Sequence, residues 1–256
     1  LRDLADACEV KPAAAVQAAV AVCQQSVAAG AAGVKPAALG ALPMADADLG
    51  FVDEPADWRL SVKRVLDVAL CIAALVVSAP LFLAIAALIK LTDGGPIFFA
   101  QRRVGLGGRT FQMLKFRSMV VDAEQLKPSL AAANESNGPV FKMQRDPRVT
   151  AVGRFIRRYS IDELPQLVNV LLGDMSVVGP RPSLPAEVAR YKPWQHRRFA
   201  VRPGLTCLWQ TSPGRYRIPF DEWMRLDLKY IEQWSLALDL LLILRTVRVV
   251  VTGTGE

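Results

Sequence analysis

Asp162 and Glu163 are adjacent carboxylates. They follow Arg157 and Arg158 and precede two rigid loops, Gly179-Pro-Arg181-Pro182 and Val201-Arg202-Pro203-Gly204, each presenting one more arginine. Lys142, Arg145, Arg148 and Arg154 lie just upstream of the pair. A carboxylate that attacks a phosphate diester or pyrophosphate approaches like charge. Cations, Mg2+ among them, must then screen the repulsion and stabilise the departing phosphate. Arginine forks match phosphate oxygens two at a time and suit that task. On a helix, successive side chains point about 100° apart, so the two acids would serve different partners rather than share a proton. A purely structural role stays open at this point. Ser160 suits a helix N-cap and Glu163 the third position of a capping box, and acids in a first turn also favour the helix dipole.

Other reactive residue types offer less. His196, the one histidine, has no Ser-His-Asp pattern to join and reads as a surface residue. Cys8, Cys23, Cys71 and Cys207 are scattered without a CxxC pair, so reduced thiols are expected rather than a zinc site or a disulfide framework. Trp194, Trp209, Trp223 and Trp234 suit core or interfacial anchors. Lys and Arg outnumber Asp and Glu by 31 to 24, although residues 1–57 carry eight acids against three bases. The remainder is strongly basic, which implies an anionic partner: phosphate esters, nucleic acid or an anionic lipid surface. No helix-turn-helix, zinc-finger or aromatic RNA-binding motif is present, so no nucleic-acid partner is expected.

The elements that must hold these residues begin with Val68 to Ile89, 22 consecutive residues without a charge. As a straight helix this stretch would be roughly 33 Å long, enough to cross a bilayer core. Pro80 sits near its middle, where proline removes a backbone hydrogen bond and favours a kink, and Ser78 is placed to bond a nearby carbonyl. Both flanks are basic: Arg59, Lys63 and Arg64 before, Lys90, Arg102 and Arg103 after. The positive-inside rule places both ends on the cytoplasmic side, which favours a helix that enters, bends at Pro80 and returns over a simple crossing. Beyond it, strands are expected at Ile97–Gln101 and Thr110–Met119, and helices at Asp122–Ala133 (interrupted by Pro128), Ala151–Tyr159, Ser160–Gly173, Ala186–Phe199 and Phe220–Trp234. Met175–Pro182 reads as a Gly/Pro loop. Leu236–Val251 suits either an interfacial helix or a core helix. Residues 1–57 read as an accessory or linker region, with an Ala-rich helix ending at Gly30. The start at Leu1 leaves open an upstream portion. The expected class is α+β: a re-entrant membrane helix over 58–91, then a mostly helical cytosolic catalytic domain with short strands over 92–256.

The segment Ser160-Ile-Asp162-Glu163-Leu-Pro-Gln-Leu-Val-Asn-Val, followed by Gly173-Asp-Met-Ser-Val-Val-Gly-Pro-Arg-Pro182, resembles the bacterial sugar transferase family, the small monotopic phosphoglycosyl transferases. Lys63-Arg64-Val-Leu-Asp67, Gly95-Pro-Ile-Phe-Phe-Ala-Gln-Arg102, Arg103-Val-Gly105, Lys115-Phe-Arg117-Ser-Met119, Asp146-Pro-Arg148-Val-Thr and Val201-Arg-Pro-Gly204 extend the resemblance across about 59–252. It implies a UDP-sugar donor, an undecaprenyl phosphate acceptor, Mg2+, and a monotopic site at the cytoplasmic face of a bacterial inner membrane, in contact with membrane lipids. Homo-oligomerisation is left open. By the same resemblance Asp162 is the nucleophile, and Glu163 binds Mg2+ with it or deprotonates the acceptor. Lys115, Arg117, Arg145, Arg148, Arg157, Arg181 and Arg202 are expected to bind substrate phosphate. The family's helix breaks at a Ser-Pro pair, and here Ala79 stands between Ser78 and Pro80. Two other classes remain on the sequence: a membrane-tethered, non-catalytic binding protein, and a nucleotide-sugar hydrolase.

Overall fold

The structure, a computed structural model, describes residues 58–253 apart from 136, 137, 144, 213, 216 and 217. The expectations for residues 1–57 lie outside the described residues. The first element, α1 (Trp58–Asp93), is one helix of 36 residues that continues through Pro80. The Ser78 hydroxyl, expected to bond a nearby carbonyl, is buried without a hydrogen-bond partner. Asp67, Cys71, Ile85 and Ile89 are buried and recur at helical spacing, so one stripe of α1 packs on protein. The opposite face carries Val76, Val77, Leu83 and Leu91, with Val77 81% exposed.

Strands β1 (Phe98–Val104) and β2 (Thr110–Phe116) form an antiparallel hairpin with Phe98 opposite Phe116 and Val104 opposite Thr110. The first strand is longer than expected and the second shorter. Helix α2 (Ala123–Leu126) ends before Pro128, which opens a 3-10 segment to Ala133, the interruption that proline predicts. Helix α3 (Ala151–Arg158) starts where the Thr150 hydroxyl accepts from the Gly153 amide at 2.9 Å. Helix α4 (Gln166–Leu172) stops at Gly173, whose φ of 92° is the left-handed stop expected there. Inside the expected Gly/Pro loop lies β3 (Ser176–Val178). The expected helix Ala186–Phe199 is instead two pieces, α5 (Pro185–Val188) and a 3-10 segment Pro193–Ala200. Pro193 is the cause, because it forces Lys192 into extended backbone. Strand β4 (Gly204–Thr206) pairs parallel with β3, and helices α6 (Phe220–Glu232) and α7 (Leu236–Val251) complete the chain.

Both ends of α1 are fixed to this one body. At its start Lys63 donates to the Val178 carbonyl at 3.0 Å and to Asp239 on α7 at 2.6 Å, and Arg64 donates to the Val170 and Leu171 carbonyls at the end of α4. Asp67 accepts from the Ser176 hydroxyl at 2.6 Å and the Val177 amide at 3.2 Å. Farther along, the Phe82 ring lies 4.5 Å from Phe116 and 5.8 Å from Phe98, on the hairpin. Cys71, Met113, Leu167, Val170 and Met175 form the core between α1, β2 and α4. Helix α7 buries Asp239 and Leu242 and exposes Leu240, Leu244, Val247 and Val251, so it is neither wholly core nor wholly free.

The loops before β4 and after β3 touch backbone to backbone. A Cβ on Gly204 would lie 2.0 Å from the Gly179 amide nitrogen. Gly204→Ala is therefore expected to destabilise the fold by about 3 kcal/mol, the upper range for forced overpacking. A thermal melt of the variant checks this, and an unchanged midpoint would contradict the close approach.

Candidate active site

The carboxylate pair does not sit in the first turn of an α-helix. Ile161–Glu163 is a 3-10 turn, and α4 begins three residues later at Gln166. The expected capping box is absent. Ser160 adopts φ 53°, ψ 23°, a left-handed geometry that cannot present its hydroxyl as an N-cap, and its side chain makes no cap bond. Glu163 is instead taken by Lys115, whose ammonium lies 2.7 Å from Glu163 Oε1 and 3.7 Å from Asp162 Oδ2. Arg181 approaches Glu163 Oε1 from the other loop at 3.6 Å. The tight turn thus turns both acids toward one cation. Asp162 is buried, only 8% exposed. Burial alone would push the Glu163 carboxyl up, but Lys115 and Arg181 override it and hold it at about 2.

Lys115 is placed by Asn169, which is buried in α4. The Asn169 side chain accepts from the Leu114 amide at 2.9 Å and donates to the Gln112 carbonyl at 2.7 Å, locking the edge of β2 to the helix that follows the acids. Sequence reading gave Asn169 no role. Its polar side chain on a helix whose face is otherwise Leu and Val was the available signal. In the sequence Arg103 is a basic flank of the apolar segment and part of the Arg103-Val-Gly105 match to the family, with no role at the site. It lies half-buried in β1 and donates to the Pro182 carbonyl at 3.0 Å and to Gln101 at 2.6 Å. Burial, and then neighbouring Arg181, bring the Arg103 guanidinium down to about 10, still charged at neutral pH.

Of the expected phosphate-binding residues, the structure brings Lys115 and Arg181 to the acids. Arg148 spends its fork elsewhere: two nitrogens engage Asp146, at 2.9 and 2.6 Å, and the third donates to the Ala123 carbonyl at 3.1 Å. Arg145 is exposed. Arg157 is half-buried in the last turn of α3, and its charge reaches Asp146 and Arg148. Arg117 is buried at the far end of α1, in a small recess with Ile89, Thr92 and Thr150. Arg202 donates to the Gly173 carbonyl at 3.2 Å. His196 meets the Lys192 carbonyl and the edges of Tyr191 and Phe199, a packing role. Trp209 stacks on Trp223 at 4.5 Å and Trp234 donates to Asp239 at 3.1 Å, so these rings serve the core. Cys71 and Cys207 are buried free thiols.

Among the described residues no group of three or more His, Cys, Asp or Glu side chains could hold a metal. Two carboxylates do match the Mg2+ mode in which substrate phosphate and water supply the other ligands. Asp162 and Glu163 fit that mode and no all-protein cage.

An acid pair with Asp162 buried, bridged by lysine and facing an arginine on a proline-bounded loop, is the equipment of a transferase that handles phosphate-linked substrates. The chain belongs to the bacterial sugar transferase family, whose profile matches residues 58–253. It is 47% identical over 197 residues to the galactosyl transferase CpsE of Streptococcus agalactiae serotype III, a match covering 77% of this chain and 44% of that protein. It is 42% identical over 198 residues to the exopolysaccharide production protein ExoY of Sinorhizobium fredii, covering 76% and 87%. Against the undecaprenyl-phosphate galactose phosphotransferase of Salmonella typhimurium it is 40% identical over 203 residues, covering 76% and 41%. The chain thus spans less than half of two of these relatives and most of the third.

Proposed function

We propose that this protein transfers a sugar 1-phosphate from a UDP-sugar to undecaprenyl phosphate, releasing UMP, as the first membrane step of a bacterial polysaccharide. The observation that carries the reading is the Lys115 bridge across Asp162 and Glu163 with Arg181 on the far side. An Asp162 oxygen attacks the sugar-linked phosphorus. A P–O bond to Asp162 forms, the pyrophosphate P–O bond breaks, and UMP leaves. The acceptor phosphate oxygen then attacks the same phosphorus, and Asp162 departs as carboxylate. Lys115 and Arg181 offset the negative charge that gathers on the phosphate oxygens in both steps. Asp162 and Glu163 would hold Mg2+ together with substrate phosphate, and that ion supplies further charge screening. A carboxyl held at about 2 is a poor proton acceptor, which favours a ligand role for Glu163 over a base role. A phosphate monoester has lost most of its second proton by pH 7, with a pKa near about 6, so the acceptor needs no base.

The attachment of both ends of α1 to one body supports a monotopic placement at the cytoplasmic face of the inner membrane. A straight crossing would carry the far end away from the domain that Ile85, Ile89 and Phe82 touch. The apolar face of α1 and the Leu240, Leu244, Val247 and Val251 face of α7 then meet lipid. Val77→Lys places a charge on that face without entering the core. It is expected to reduce co-sedimentation with vesicles containing anionic lipid by about tenfold or more, from an insertion cost of about 2.5–3.5 kcal/mol. Undiminished binding would remove α1 from the lipid contact. The activity itself is tested by UMP release from a panel of UDP-sugars with undecaprenyl phosphate and Mg2+. Acceptor-dependent multiple turnover supports the proposal, and sustained turnover that ignores the acceptor, beyond one UMP per protein, makes the protein a hydrolase.

A further inference from the structure

The loop that carries Arg181 makes little structure of its own. Pro180 and Pro182 flank the arginine and lack the N–H groups that a local turn would use. Its four successive carbonyls are satisfied from four directions. The Pro180 carbonyl accepts from the Gly204 amide at 2.9 Å, Arg181 from Arg198 at 2.6 Å, Pro182 from Arg103 at 3.0 Å, and Ser183 from the Val104 amide at 2.9 Å. Two of these donors are backbone amides of β-structure, and two are arginines, Arg198 buried and Arg103 half-buried.

Arg198 is the more committed of the two. It is 4% exposed, and besides the Arg181 carbonyl it donates to the Ser183 hydroxyl at 2.5 Å and the Tyr191 hydroxyl at 3.1 Å. Its charge is met by Asp227 on α6, at 2.6 Å and 1% exposed. The other Asp227 oxygen has no hydrogen-bond partner, so the hydrogen bonding of this carboxylate goes to Arg198, while the Arg181 charge reaches it only through space. A buried ion pair adds little net stability over an apolar packing, and its best-attested use is to fix one arrangement.

We propose that Arg198, aligned by Asp227, is a positioning residue that sets where Arg181 meets the substrate phosphate. The assignment rests on the phosphate role given to Arg181 above. Neither Arg198 nor Asp227 touches the reacting atoms. Asp227 orients the Arg198 fork, the fork holds the Arg181 and Ser183 ends of one short segment, and the Arg181 side chain projects from that segment to Glu163. A displacement of about 1 Å at a catalytic group can cost about a hundredfold in rate. Asp227→Asn keeps the shape and one hydrogen-bond acceptor while removing the charge. Burial, opposed by Arg198 and Arg181, raises the Asp227 carboxyl to about 6, still mostly ionised at neutral pH, so the amide removes the charge that pairs with Arg198.

The test is a double-mutant cycle on acceptor-dependent UMP release by the full chain, with wild-type release measured first. Loss of that starting activity would count against the functional reading and, because it removes the phosphate role of Arg181, would overturn the positioning role with it. With wild-type release in hand, Asp227→Asn in the Arg181-containing protein is expected to lower kcat/KM by about tenfold to a hundredfold. In an Arg181→Ala background the same change is expected to have an effect within about twofold, because the group being positioned is gone. Arg198→Lys keeps the charge but cannot fork, and it is expected to show the same coupling, which covers the case of an Asp227→Asn protein that fails to fold. Equal losses in both backgrounds would reduce Arg198 and Asp227 to general support of the fold and overturn the proposal while leaving the function standing.

Discussion

Asp162→Asn is expected to lower UMP release by about a thousandfold or more, the scale on which nucleophile replacements act. The amide has nearly the shape of the carboxylate and Asp162 is buried, so the loss is chemical and not a matter of packing. An amide oxygen carries no charge with which to attack phosphorus, and it leaves poorly in the second step. Lys115, 3.7 Å from Asp162, retains its shorter contact to Glu163, so the turn stays tethered to β2. A melting temperature close to wild type should accompany the loss. Release within about tenfold of wild type would remove Asp162 from the role of nucleophile, since a missing nucleophile costs far more than that.

Lys115→Met is the second large effect, and it brings a change in pH dependence. The methionine keeps the bulk of the lysine stem but removes the cation shared by the two acids. A loss of about a hundredfold or more in kcat is expected from removing a charge aimed at the transferring phosphate. In the wild type, the Glu163 carboxyl sits at about 2, below its ordinary value of 4.5. Its ionised form therefore stabilises the fold above that ordinary value, and this contribution is lost only as the pH falls through about 2. Without Lys115, burial is opposed mainly by Arg181, so the Glu163 carboxyl moves upward. The variant is expected to lose residual activity at a higher pH than wild type on the acid side, because protonated Glu163 is no longer an anionic ligand. Its stability deficit relative to wild type should shrink as the pH is lowered through the raised Glu163 value, because protonation relieves an ill-paired buried charge. Rate profiles and melts over the same pH series check both limbs, and parallel profiles for the two proteins would contradict the shared-cation geometry.

The acids were legible in the sequence because two carboxylates among many arginines and rigid Gly-Pro loops stand out from composition alone. Their backbone was not. Ser160, Ile161 and the two acids read equally well as a capping box, and the deciding interaction comes from Lys115, 45 or more residues earlier on a strand whose register nothing local fixes. The helices α6 and α7 were readable because their apolar spacing and end signals are local. The split after α5 was missed although Pro193 was visible, since apolar residues on either side of it suggested one helix. Long-range pairing explains the rest. The parallel contact of β3 with β4 joins two three-residue strands separated by 25 residues or more, and strands so short carry no periodicity of their own. Asn169, buried, and Arg103, half-buried, illustrate the same limit, because a polar group inside the fold declares its role only through the carbonyls and amides that surround it.

Trapping the covalent step tests the proposed chemistry most directly. Wild-type protein is mixed with a UDP-sugar that supports UMP release, in Mg2+ but without undecaprenyl phosphate, then quenched in acid, digested and examined by mass spectrometry. The expected result is a hexose-phosphate adduct on the peptide that contains Asp162, absent after Asp162→Asn and discharged when undecaprenyl phosphate is added before the quench. An adduct on another residue, or full acceptor-dependent turnover with no adduct under any quench, would contradict Asp162 as the nucleophile of a two-step transfer.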